Sequence, residues 1–132
     1  MRIIADTNVL LRDALHDDPR QTPLAMKALR DAELVAIPLT VLCEFVWVLR
    51  QGYSKSCTEV ADAIRLLINS DKVVCDTPAV QAGLSLLDAG GDFADGILAH
   101  EGFWLGAEEF VSFDKQAVKL FKSRGKRVRL LS

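Results

Sequence analysis

Four carboxylates stand out by their surroundings: Asp6 in ADTN, Glu44 in VLCEFVWVL, Asp95 in FADGILA and Asp114 in VSFDK. Glu44 is the sharpest case, the only charge among eight apolar residues of 41–49. A helix apolar all round is buried, and a buried unpaired carboxylate shifts its pKa or finds a positive partner. An arginine would serve, and so would a cation shared with other acids. Four carboxylates brought within several ångströms repel and cannot all stay ionised without a cation. Oxygen-only ligation with no usable Cys or His set selects a hard metal, Mg²⁺ or Mn²⁺, over zinc. The chemistry of such a site is phosphoryl transfer or phosphodiester hydrolysis, with the metal activating water and neutralising the leaving oxygen. Plainer readings stand beside this one. Asp6 and Asp114 suit helix caps, and Asp92 with Asp95 suits a cap and an acid at the helix's positive end. His16 and His100 lie outside any metal-ligand pattern and read as structural.

The elements that must position these acids alternate. Ile3 to Ala5 reads as a strand ending just before Asp6, followed by a helical pattern through Val9, Leu10 and Leu11. A helix after Pro19 or Pro23 would turn Leu24, Met26 and Leu29 inward. Leu34 to Ile37 reads as a strand ended by Pro38, Thr40 to Arg50 as a helix stopped by Gly52, and Val73 to Cys75 as a third strand. Between them, Ser56 and Glu59 form a capping-box pair opening a helix. Thr77-Pro78 starts a helix that ends at Gly90-Gly91, and Asp92 opens another through His100. Phe110 to Phe113, residues 115–123 and Val128 to Leu131 read as strand, helix and strand. Strands separated by helices imply parallel crossovers, a mainly parallel sheet and helices on both faces. In such sheets, sites form at the carboxyl ends of strands, where Asp6, Glu44, Asp95 and Asp114 map.

The chain has 132 residues, half of them hydrophobic and 26% charged, the composition of one folded domain spanning 1–132. No apolar stretch approaches the roughly 20 residues of a membrane-spanning helix, and the N-terminus reads as uncleaved. Cys43, Cys57 and Cys75 form an odd set among apolar neighbours, which fits reduced, mostly buried thiols in a cytoplasm. The net charge of −2 hides an asymmetry, because residues 115–132 carry seven of the 16 Lys and Arg and none of the 18 acids. An acidic body with a basic C-terminal segment is compatible with a polyanion substrate. Lys119, Lys122, Arg124, Lys126, Arg127 and Arg129 would bind its phosphates, or would form a solvated face. Trp47, Val48, Phe103, Trp104 and Leu105 are candidates for an exposed apolar interface, or for ordinary core.

ADTN after an N-terminal strand, the isolated Glu44, FADGILA and VSFDK together resemble the PIN domain over essentially the whole chain. Within that family the chain is most similar to the small VapC-type ribonuclease toxins of prokaryotic toxin–antitoxin pairs. The resemblance implies a three-layer α/β/α sandwich with a central parallel sheet, and Mg²⁺- or Mn²⁺-dependent endonuclease cleavage of RNA. It matches Asp6, Glu44, Asp95 and Asp114 to the family's acidic quartet, with Asp6 and Asp95 the principal metal ligands. Thr7 or Asn8 and Ser112 match flanking positions that hold the acids or the metal's waters. It also implies an antitoxin partner and a homodimer; a non-toxin PIN nuclease or an RNA-binding module is the alternative. Gly96 departs from the family's more usual alanine and should soften its helix slightly. Asp92 is read as a cap.

Overall fold

Short β-branched runs alternating with amphipathic stretches fold into five strands and seven α-helices; the computed structural model describes all 132 residues. They group into two compact units, Met1–Asp76 and Thr77–Ser132. Every strand pairing is parallel, as the crossover spacing predicts, and the class is α/β. No helix is long and apolar enough to cross a membrane.

The N-terminal unit runs β1 (Arg2–Ile4), α1 (Thr7–Leu15), α2 (Gln21–Asp31), β2 (Leu34–Ala36), α3 (Leu39–Trp47), α4 (Cys57–Ile68) and β3 (Val73–Val74). Its strands lie in the order β1-β2-β3, with Ile3 beside Val35 and Val35 beside Val73. Val35 is buried, as are Leu10, Leu42, Phe45 and Ile64 from the helices. Successive strand residues face opposite ways, so Ile4 and Val74 share the alternate row, and both are exposed. The helix α3 does not run on to Arg50: Val48–Gly52 widens into a π-type turn before the chain reaches Tyr53. The capping box forms as expected, Ser56 accepting from the Glu59 amide and Glu59 from the Ser56 amide.

One helix face differs from expectation. Leu24 and Met26 of α2 are exposed, and Thr22 and Ala25 are the buried residues. The helix starts at Gln21, held by Asp18, whose Oδ1 accepts from the Arg20 and Gln21 amides at 2.9 and 2.8 Å. Thr22 turns inward and donates to the Arg12 carbonyl at 3.1 Å.

The C-terminal unit runs α5 (Thr77–Asp88), α6 (Phe93–Trp104), β4 (Phe110–Ser112), α7 (Lys115–Ser123) and β5 (Val128–Leu130), with β4 beside β5. Leu86, Ala99 and Phe121 form its core cluster, with Phe103, Phe110, Leu120 and Val128 packed around it. The Phe110 and Phe121 rings sit 4.5 Å apart, tilted by 53°, a favourable aromatic geometry. Gly90 closes α5 in the left-handed region at φ 85°, which costs glycine nothing. The helix α6 runs past His100 to Trp104, because Gly102 stays helical and the chain turns only at Gly106, φ 107°. Gly96 is where α5 and α6 meet most tightly: a Cβ there would lie 2.5 Å from the Ala82 carbonyl oxygen and 2.8 Å from Gly83 Cα. The glycine is thus a packing requirement as well as a weak helix former.

Candidate active site

Asp6 sits just beyond β1 and caps α1. Its Oδ1 accepts from the Val9 amide at 3.1 Å, so the plain capping reading holds. Oδ2 takes no hydrogen bond, and Asp6 is exposed. Glu44 lies in mid-α3, and its environment corrects the expectation of a buried carboxylate. It is exposed, as is Trp47 one turn on, so α3 is not enclosed all round. Its partner is neither an arginine nor a carboxylate: Thr7 Oγ1 donates to Glu44 Oε2 at 2.5 Å. Thr7 therefore holds one acid of this unit while following the other in sequence. Asn8 does not share the task, since its Nδ2 donates to Gln21 Oε1 at 3.3 Å on α2.

In the C-terminal unit the acids gather at two helix starts. Asp92 caps α6, accepting from the Ala94 amide at 2.7 Å and the Asp95 amide at 3.4 Å. Asp114 caps α7 through Oδ1, which accepts from the Gln116 and Ala117 amides at 2.9 and 3.1 Å. Ser112, at the end of β4, shapes that turn by accepting the Asp114 amide at 3.0 Å on Oγ. Asp95, in the first turn of α6, is half-buried, and its carboxylate receives no hydrogen bond. Burial above all, then the negative charges of Asp92 and Asp114, push its carboxyl above the usual aspartate value. The structure thus brings Asp92, Asp95 and Asp114 within electrostatic reach, and it ties Thr7 to Glu44.

In kind, these donors, oxygens alone, fit a hard divalent cation, and in the C-terminal unit Asp92 and Asp114 act on Asp95 as like charges. No group of three or more His, Cys, Asp or Glu side chains is assembled as a ready metal centre. Other features stand apart from the acids. A cavity of about 440 Å³ in the N-terminal unit, with Val35 and Phe45 in its wall, contains none of the four. Cys43, Cys57 and Cys75 are half-buried rather than enclosed, with no disulfide. His16 closes α1 in the left-handed conformation at φ 53°, a structural place. The sequence reading missed one polar network: Arg12 bonds Asp17 at 2.9 Å and Tyr53 at 3.3 Å, and Tyr53 donates back to Asp17 at 3.1 Å. Its members are separated by up to 41 residues, and no local pattern announces such a contact.

No protein-family model matches the chain, and no curated protein does. Among solved structures it aligns with the crystal structure of Mycobacterium tuberculosis VapC20, described as a sarcin–ricin loop cleaving toxin. The chain is similar to a VapC toxin. That likeness has 16% identity and a TM-score of 0.44, over 93% of this chain and 95% of the other.

Proposed function

We propose that this chain is a divalent-metal-dependent endoribonuclease, acting as the toxin of a toxin–antitoxin pair. The observation that carries the chemistry is Asp95. A half-buried carboxylate with no hydrogen-bond donor, pressed by Asp92 and Asp114, is raised above the usual aspartate value, and a bound cation would favour its charged form. The acids assigned to the reaction are Asp6, Glu44, Asp95 and Asp114, which would hold Mg²⁺ or Mn²⁺. When bound, such an ion polarises a phosphoryl oxygen and supplies an activated water for attack on the phosphodiester.

The chain's own residues hold those acids in place. Asp6 and Asp114 spend Oδ1 on capping amides, which fixes their rotamers and leaves Oδ2 for a ligand. Thr7 orients Glu44, and Ser112 sets the backbone from which Asp114 projects. Asp92 stays a cap whose charge tunes Asp95. The toxin role, the antitoxin partner and a homodimer follow from the resemblance of ADTN, Glu44, FADGILA and VSFDK to PIN-domain toxins, and a cytoplasmic setting from the free cysteines. Trp47 in the N-terminal unit, and Trp104 and Leu105 in the C-terminal unit, are well exposed and are apolar residues that protein partners would cover, while Val48 and Phe103 are half-buried.

Incubation of the purified protein with single-stranded RNA tests the reading. Internal cleavage is expected with Mn²⁺ or Mg²⁺, with none in EDTA and little for Asp95→Asn. Equal cleavage in EDTA overturns the metal requirement, and binding without cleavage makes the chain an RNA-binding module.

A further inference from the structure

We propose that Lys115, Lys119 and Lys122 on α7 form a phosphate-tracking row that seats the RNA strand beside Asp114. The inference rests on the proposed ribonuclease activity and names the surface that holds its substrate.

The structure sorts six of the seven cations of the basic C-terminal segment into two classes, and the seventh, Arg127, is exposed just before β5. Arg124 is committed to α5, donating to Ser85 Oγ and, at 2.8 Å, to the Ser85 carbonyl. Arg129 pairs with Glu109 at 2.9 Å, bracing β5. Lys126 lies over the Phe103 ring, 5.4 Å from its centroid, a cation–π contact. These three cations serve the fold. Lys115, Lys119 and Lys122 form no hydrogen bond or ion pair, and all three are exposed.

Their spacing puts them on one face. Positions i, i+4 and i+7 recur on the same side of a helix, while Ala117, Val118 and Phe121 occupy the buried side. The row runs about 10 Å along the axis at 1.5 Å per residue. A solvated face would usually mix signs, because acids three or four residues from a lysine steady a helix and like charges there weaken it. Here no acid stands three or four residues from any of the three, and within α7 two like-charge pairs do, Lys115 with Lys119 and Lys119 with Lys122. The like-charge pairs weaken the helix slightly, and a polyanion lying along the row would relieve their repulsion. It begins at the residue after Asp114, so a strand following the row arrives at a candidate catalytic acid.

Binding of a single-stranded RNA oligonucleotide in EDTA, titrated with salt, tests the row. Single-strand affinity falls with salt at a log–log slope of about −0.7 per phosphate neutralised. The triple variant Lys115→Gln/Lys119→Gln/Lys122→Gln should therefore have a slope shallower by about 2 and bind about a hundredfold more weakly at 0.1 M salt. Replacing the same lysines with arginine should restore the wild-type slope. Arg20→Gln/Lys27→Gln, which removes two charges elsewhere, should leave it unchanged. A wild-type slope in the triple variant, or an equal change in that control, overturns the row. Cleavage in Mn²⁺, run in parallel, separates the two readings. RNA bound through the row but never cut defeats the nuclease and spares the row, and cleavage with an unaltered slope does the reverse. No RNA binding by the wild type defeats both.

Discussion

In the N-terminal unit each candidate carboxylate has a neutral partner: Asp6 takes a backbone amide and Glu44 takes the Thr7 hydroxyl. In the C-terminal unit Asp95 has no donor, and two further acids act on it. Carboxylates of the two units thus meet different surroundings. Hydrogen bonds to a carboxylate favour its charged form, whereas burial and like charges oppose it. Under the proposed metal mechanism, loss of the Asp95 charge should harm activity far more than it harms the fold.

Activity gives the largest contrast. Asp95→Asn should lower RNA cleavage by about a hundredfold or more, because metal stabilisation of transition-state charge is worth several kcal/mol. Thr7→Val, which frees Glu44 but deletes no acid, should cost about tenfold, the low end for losing a partner that orients a metal ligand. If Thr7→Val proves as severe as Asp95→Asn, the N-terminal pair matters as much as the C-terminal set.

Stability should order the variants differently. Gly96→Ala ought to destabilise by about 1–3 kcal/mol through overpacking against Ala82 and Gly83. Helix propensity alone would make the same change stabilising by up to about 1 kcal/mol, so a chemical denaturation curve distinguishes the two. Asp6→Ala should cost about 1 kcal/mol by removing a cap. Asp95→Asn, in EDTA at neutral pH, should melt at or above the wild-type temperature. The sign follows from linkage. A carboxyl raised in the folded state contributes stability below its unfolded value, and loses it as pH rises through the folded one. The gap between Asp95→Asn and wild type should therefore widen with pH across that window and then level off.

Much of this was legible from local pattern. The Ser56–Glu59 box, the Asp92 cap and the 115–123 helix follow from signals within a few residues, and the α/β class and parallel pairing follow from the alternation of strands with helices. What escaped the sequence depends on contacts between distant residues. Glu44 looked buried because its neighbours are apolar, yet α3 leaves both Glu44 and Trp47 open. Leu24 and Met26 looked inward because they are large, but the register set by Asp18 buries Thr22 and Ala25 instead. Gly96 read as a slightly soft helix position, and only the approach of α5 shows why a side chain is excluded. The basic segment read as one block of charge until Ser85, Glu109 and Phe103 claimed three of its seven cations.

The most direct test of the account is the titration of the Asp95 carboxyl, followed by carbon NMR with and without Mg²⁺. The expected result is a pKa above the usual aspartate value without metal. It should fall partway toward that value in Asp114→Asn and fall further when Mg²⁺ is added to the wild type. An ordinary aspartate titration, indifferent both to Asp114→Asn and to Mg²⁺, would contradict the claim that this acid cluster is poised for a cation.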